Sequence, residues 1–312
     1  MRTLDQQIGR VLRAAAAAPS VANTQPWEVT VSGGTVALRA DPARRLQHTD
    51  PHGREMLISC GAFLLNTRVA ARRERLVATV RVLPDPEDEL LVAELTFEPG
   101  PAPTPYELDL ATAVGRRATS RLPFEDQPLF TDAVIALHSA AESEGAALRL
   151  VQYSDPAREA VIDLVRRAEA LAAEDPAATA EEAAWTAVDP GRDDGIPPDL
   201  LGPAPMDARA PVRRFDAAAG TARFERRSTL AVLVTPGDDT AAWITAGQAL
   251  EHVLLVATTY LVHASFATTV LENPTTRHDL RRALRLQGAP QMVMRLGYQA
   301  LPEHTPRRPV GP

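Results

Sequence analysis

Ile58-Ser59-Cys60-Gly61-Ala62-Phe63-Leu64 and Ile244-Thr245-Ala246-Gly247-Gln248-Ala249-Leu250 share an isoleucine, a hydroxyl and a glycine in register. Each stretch begins a long apolar helix, and each helix is followed by a β-branched strand. Because the order of elements repeats along with the residues, the pair reads as an internal duplication. A duplicated half within one chain is the covalent form of a symmetric dimer, so two packed lobes are expected.

The first of these helices is predicted over 55–73, after Asp50-Pro51-His52-Gly53-Arg54; it is apolar nearly all round and therefore buried. Upstream, Thr3-Leu4-Asp5-Gln6 forms a capping box, and Leu4, Ile8, Val11, Leu12 and Ala15 recur on one helical face until Pro19 stops the run. The alternation Val29, Val31, then Val36 and Leu38 around Ser32-Gly33-Gly34-Thr35 makes a hairpin over 28–41. Strands over 76–83 and 90–97 complete an N-terminal lobe, 1–98. The run Pro99-Gly100-Pro101-Ala102-Pro103-Thr104-Pro105 fits neither helix nor central strand, and 99–105 is expected to be the linker.

The C-terminal lobe, 106–300, is expected to hold helices near 106–114 and over 131–144, a strand over 148–153 and a helix reaching about 174. A strand over 229–236, the second long helix over 241–263, a strand over 265–270, a helix over 275–286 and a strand over 291–298 follow. Between 176 and 211 the pattern lapses around Trp185, Gly191, Gly195, Pro197-Pro198 and Gly202, which marks a lid-like insert. Residues 301–312 read as a tail. The fold class is α+β: two lobes forming a pseudo-dimer, each a mostly antiparallel sheet flanked by helices.

Composition narrows the chemistry. With 312 residues, 45% hydrophobic and 23% charged, the chain is ordinary globular material for about two domains. A net charge of −7 with no basic block disfavours a nucleic-acid partner. The longest apolar run, 249–269, is interrupted by Glu251, His252 and His263, as suits a buried helix rather than a membrane span. No basic-then-apolar leader appears, so a cytoplasmic location is expected. The single cysteine, Cys60, excludes an intramolecular disulfide and reads as a small core residue. All 33 basic side chains other than histidine are Arg, so any anion must be held by Arg. The scattered histidines disfavour a metal site, and the absence of G-x-S-x-G and G-x-G-x-x-G disfavours an esterase or a dinucleotide-binding Rossmann domain.

Two stretches carry polar chemistry. In Ala18-Pro19-Ser20-Val21-Ala22-Asn23-Thr24-Gln25-Pro26-Trp27, the hydroxyl of Ser20 and the carboxamides of Asn23 and Gln25 lie beside an indole. Such amides can match the imide edge of a flat ring without adding charge; they can equally satisfy the backbone of a Pro-bounded loop whose Trp is core. In Arg117-Ala118-Thr119-Ser120-Arg121, two guanidinium groups and a hydroxyl, with Arg116 adjacent, match a phosphate monoester, although Arg pairs at helix ends are also commonly solvated.

The first stretch resembles the APSxxNxQPW signature of the FMN-dependent nitroreductase superfamily, and the second resembles that superfamily's R-x-S/T-x-R phosphate motif. With Asp50-Pro51-His52-Gly53-Arg54-Glu55, Ile58-Ser59-Cys60-Gly61-Ala62 and Asp194-Gly195-Ile196-Pro197-Pro198, the pattern is similar to the Acg-like branch of FMN-binding proteins, a fused pair of nitroreductase lobes. The resemblance covers about 4–298. It implies a flavin at the lobe interface, with arginines from one lobe and the Asn loop from the other. Here the two motifs come in reversed order, once each, which implies one FMN per chain and a monomer whose interface is internal. By resemblance, Arg117, Thr119 and Arg121, with Arg116, would hold the phosphate and ribityl end. Ser20, Asn23 and Gln25 would lie along the ring or ribityl chain, and Thr268, Thr269 and Glu272 would approach the ring edge. Gln287, Gly288 and Pro290 would close the phosphate side. The implied activity is electron transfer from NAD(P)H through the flavin to a nitro compound or quinone. The Acg-like branch also implies the alternative of a lidded, non-catalytic protein that stores or sequesters FMN.

Overall fold

The computed structural model describes residues 3–207, 209–215 and 220–310, and its described strands form two four-stranded antiparallel sheets and a short two-stranded one. The first lobe runs α1 (Leu4–Ala15), β1 (Trp27–Ser32), β2 (Thr35–Ala40), α2 (Arg54–Arg73), β3 (Leu76–Val82) and β4 (Leu91–Pro99). The second begins with α3 (Pro105–Val114), α4 (Thr131–Ser143), β5 (Ala147–Val151), α5 (Arg158–Ala173), α6 (Pro176–Trp185), β6 (Ala204–Pro205) and β7 (Thr221–Ala222). It ends with β8 (Thr229–Thr235), α7 (Thr240–Thr259), β9 (Val262–Phe266), α8 (Thr269–Glu272), α9 (Pro274–Ala283) and β10 (Ala289–Tyr298).

The sheet orders are β1-β2-β4-β3 and β5-β8-β10-β9, so α4-β5-β8-α7-β9-β10 repeats α1-β1-β2-α2-β3-β4 element for element. The echo between Ile58–Leu64 and Ile244–Leu250 is thus a duplicated half-fold. The copies differ in their connections. The first lobe joins β1 to β2 through Gly33 and Gly34, both at positive φ (56° and 81°), the backbone a two-residue hairpin turn requires. The second places α5, α6, β6 and β7 at the corresponding point.

The central helices α2 and α7 touch backbone to backbone. A Cβ on Gly61 would lie 2.9 Å from the Gly247 Cα and nearer still to the Ile244 carbonyl oxygen. A Cβ on Gly247 would lie 2.8 Å from the Gly61 Cα and press on the Ile58 carbonyl oxygen. At this separation each helix supplies side chains to the other lobe. Ile58 and Leu65 of α2 pack in the core with Leu250 and Leu254, while Ile244 of α7 packs in the core of Trp27 and Phe63. Among the described residues no helix is long and apolar enough to cross a membrane.

Several boundaries differ from the sequence expectations, and three of the differences bear on the site. The stretch 176–211 is not irregular throughout: Asp175 accepts hydrogen bonds from the Ala177 and Ala178 amides and, with Pro176 in the first turn, starts α6. The strand expected over 265–270 is β9, shifted to Val262–Phe266, because Leu261 adopts φ 59° and turns the chain immediately after α7. Thr268 and Thr269 therefore open a short helix, α8, instead of ending a strand. The tail is not free, since within its described part, 301–310, residues 306–308 hydrogen-bond to the loop between α1 and β1.

A polar cluster lies where the two lobes meet. Glu251 of α7 sits 3.4 Å from Arg117 with both side chains buried, and burial pushes its carboxyl up to about 7 against the opposing pull of Arg117 and Asn66.

Two measurements test this architecture. Gly247→Ala is expected to destabilise the protein by at least about 1–3 kcal/mol in chemical denaturation, because helix backbones must separate to admit the methyl group. Gly115→Ala, whose added Cβ has no neighbour nearer than 3.9 Å, is expected to change stability by less than about 1 kcal/mol. Since the folded state holds the Glu251 proton more tightly than the unfolded chain, stability is highest below pH 4.5 for this group. It then falls as pH rises to about 7 and levels off above that, a loss on the order of 3 kcal/mol at most. Glu251→Gln is expected to flatten that segment of the stability-versus-pH curve.

Candidate active site

The loop between α1 and β1 is wound tightly: Ala22, Asn23 and Gln25 all have positive φ, at 45°, 56° and 50°. Such backbone is unfavourable for non-glycine residues and persists only where surrounding contacts fix it. Those contacts come from several directions. The Gln25 amide donates to Ser20 Oγ at 2.9 Å, and the Val21 amide donates to Ser59 Oγ of α2 at 3.2 Å. The Cys60 thiol donates to the Pro26 carbonyl at 3.3 Å, and burial pushes its pKa up, in keeping with a structural cysteine. Arg117 donates to the Ala17 carbonyl at 2.9 Å.

The two carboxamides of the loop face away from the cavity beside it. Asn23 Nδ2 donates to the carbonyls of Gly195 (2.8 Å) and Pro306 (3.1 Å), while its Oδ1 accepts from Arg307 at 2.9 Å. Gln25 Nε2 donates to the Asp193 carbonyl at 2.8 Å, and its Oε1 accepts from the Arg308 amide at 2.8 Å. Arg44 bridges the Thr24 carbonyl (2.8 Å) and Asp194 (2.9 Å). Asp194-Gly195-Ile196-Pro197-Pro198 and the C-terminal segment therefore interlock with the Asn loop.

The cavity lies between this loop, the start of α2, the segment after α3, and a roof formed by α6 and residues that follow it. Of the side chains expected at a site, Ser20, Thr119, Arg121 and Thr268 line it. The others lie elsewhere. Arg117 is buried behind the Asn loop, Arg116 is exposed, and Thr269 is buried in the first turn of α8. Glu272 is bound 2.6 Å from Arg213. Gln287 is exposed, Gly288 packs on the Thr235 carbonyl, and the Pro290 carbonyl accepts from Arg277.

Arg121 defines the electrostatics of the cavity. It is crowded by protein, makes a 3.2 Å hydrogen bond to the Leu200 carbonyl, and forms no ion pair among the described residues. Burial and the charge of Arg213 push its pKa down to about 10. Arg213, in contrast, is neutralised: burial alone would lower its pKa, but Glu272 and Glu182, at 2.6 and 3.0 Å, hold it above the usual range. Thr119 is placed by a parallel bridge to Ala264 of β9, and the Ser120 amide donates to the Ala264 carbonyl at 2.8 Å.

Sequence reasoning gave no role to Glu55, which also lines the cavity. Its Oε1 accepts from Arg54 at 2.6 Å. Burial pushes its carboxyl up to about 7, with Arg54 opposing and Glu272 and Asp50 reinforcing the shift. The only hint was its place in Asp50-Pro51-His52-Gly53-Arg54-Glu55; a carboxylate one residue into a helix otherwise reads as a favourable first-turn charge. The site thus pairs an uncompensated cation with a carboxyl able to carry a proton near neutral pH.

No family model matches the chain. It is 33% identical over 316 residues to the Mycobacterium tuberculosis protein named "Putative NAD(P)H nitroreductase acg", covering 97% of this chain and 93% of that protein. An uncharacterized protein of the same organism is 32% identical over 308 residues, covering 94% and 88%. The crystal structure of "a putative nitroreductase" from Anabaena variabilis aligns over 94% of this chain and 88% of that one, with a TM-score of 0.53 at 11% identity, a likeness of fold. The chain belongs to the nitroreductase superfamily, in its Acg-like branch.

Proposed function

We propose that the cavity binds one FMN between the two lobes and that the protein is a monomeric flavin oxidoreductase drawing electrons from NAD(P)H. The observation that carries this reading is Arg121, a crowded guanidinium with no carboxylate partner among the described residues, facing a cavity that also holds the Thr119, Ser20 and Thr268 hydroxyls. A half-buried cation so placed has donors to spare for an anion, and a phosphate monoester accepts bidentate hydrogen bonds from Arg. The donor set therefore fits the phosphate of a flavin mononucleotide. The name of the relative, "Putative NAD(P)H nitroreductase acg", supports the choice of electron donor.

When bound, FMN supplies two-electron hydride chemistry. Arg121 would hold the phosphate, with the Thr119 hydroxyl beside it to donate a further hydrogen bond. Ser20 and Thr268 would offer further hydroxyls from the cavity walls. Trp185 and Phe215 of the roof would exclude water, and Glu55 would hold a proton at the cavity surface near neutral pH. Arg117, Asn23 and Gln25 act through position: they hold the loop, the root of the roof and the C-terminal segment in register. Thr269 and Glu272 fix α8 and, through Arg213, the roof helix.

A second reading, a protein that stores FMN without turning it over, is favoured by the way Asn23 and Gln25 bind Gly195 and Asp193 at the base of the roof. Contacts that hold a roof shut slow exchange with solvent. Anaerobic mixing of the FMN-loaded protein with NADH or NADPH separates the two: bleaching of the flavin absorbance on a turnover timescale is expected for the reductase, and its absence selects storage.

Titration is expected to give one FMN per chain. Arg121→Met is expected to weaken FMN binding about 10–100-fold, the effect of one charge-assisted hydrogen-bonding group, while Arg116→Met leaves it unchanged. Equal affinity in the Arg121→Met and unaltered proteins would remove the phosphate assignment.

A further inference from the structure

The Glu181 carboxylate ties the roof helix α6 to the first lobe. Glu181 accepts hydrogen bonds from three successive backbone amides, those of Gln47, His48 and Thr49, and from the Thr49 hydroxyl. The His48 amide lies 3.1 and 3.2 Å from its two oxygens, and the Thr49 amide and hydroxyl each lie 2.9 Å from Oε2. Among the described residues no Arg or His pairs with Glu181. Its negative charge is met by neutral N–H and O–H donors alone.

Consecutive amides that converge on one point form a concave receptor for anions, whatever group brings the charge. This receptor opens on the same cavity as Arg121, since Thr49 and Glu181 both line it. Gln47 and His48 are exposed, so the receptor can be reached from solvent once α6 moves. The nearest first-lobe carboxylate, Asp50, is already engaged by the Met56 amide at 2.9 Å and cannot take the place of Glu181.

We propose that the amides of residues 47–49 and the Thr49 hydroxyl form a second anion subsite, for the phosphate of a phosphate ester, which the Glu181 carboxylate occupies while the roof is closed. Ligand phosphate and roof carboxylate then compete for one set of donors, so binding at this subsite loosens α6 from the first lobe, while Glu182 still anchors it to Arg213. The ligand class rests on the reading of the cavity as a nucleotide site; the receptor itself rests on the hydrogen bonds around Glu181.

Calorimetric titration of the full chain with inorganic pyrophosphate tests the subsite, using unaltered protein, Glu181→Ala, and Glu181→Ala with Thr49→Val. Vacating the receptor is expected to tighten pyrophosphate binding at least about tenfold, and loss of the Thr49 hydroxyl is expected to reverse about threefold to tenfold of that gain. Equal affinity in the unaltered and Glu181→Ala proteins overturns the proposal, as does a gain that Thr49→Val leaves intact. Arg121→Met, titrated in parallel, keeps the two readings apart. If pyrophosphate binding depends on Arg121 and not on Thr49, the second subsite is rejected while the flavin assignment stands. If FMN uptake is absent but the Thr49-dependent gain persists, the flavin assignment fails and the subsite stands. Amide hydrogen exchange at 176–185 in the unaltered protein, with NADH or FMN added, identifies the ester: the ligand that raises exchange in α6 is the one that displaces Glu181, and no change with either overturns the competition.

Discussion

Everything in this fold depends on how closely α2 and α7 approach. Helix axes normally stand 8–10 Å apart because side chains intervene. Where Gly61 meets Gly247 there is nothing between the backbones, and Ile58, Leu65 and Ile244 reach into the opposite lobe's core. The two halves therefore cannot be treated as beads on a string. Pulling them apart would expose both cores at once, and polar groups such as Glu251 and Arg117 at the junction are sealed from water by the same contact.

On this symmetric frame the functional features are asymmetric. One copy of the half-fold crosses from its first strand to its second in a glycine turn; the other makes the same crossing through α5, α6, β6 and β7, and that excursion roofs a cavity. The pocket is a product of divergence between the copies, built from the Asn loop of one and the Arg121 segment of the other. Electrostatics follow the same division. In a chain without lysine, many guanidinium groups have carboxylates beside them, as Arg213 has Glu182 and Glu272, whereas Arg121 lines the cavity with no ion pair among the described residues.

How much of this was legible depended on whether the cause was local. The capping box of Thr3 and Gln6, the hairpin at Gly33-Gly34 and the buried α2 are written in neighbouring residues and read correctly. The duplication was legible because Gly61 and Gly247 have the same geometric task. Elsewhere local signals misled. Thr268-Thr269-Val270 is β-branched and looks like strand, but Leu261 at positive φ brings the strand forward to Val262–Phe266, leaving those residues to form a helical turn. The α6 helix hid because its alanine-rich sequence lacks an apolar stripe and its start is marked only by Asp175 and Pro176. At the site, Ser20, Thr119, Arg121 and Thr268 could be gathered from motifs. The partners of Asn23, Gln25 and Glu181 could not, since each lies more than a hundred residues away along the chain.

The contacts of the last described residues bear on the timing of assembly. Pro306, Arg307 and Arg308 supply groups that the strained backbone around Asn23 needs, yet they leave the ribosome after every other element named above. Domains generally begin folding from the N-terminus during synthesis. The loop around Asn23 is therefore completed by a segment made nearly three hundred residues after it, so this wall of the pocket can take its final form only once residues 306–308 have been translated.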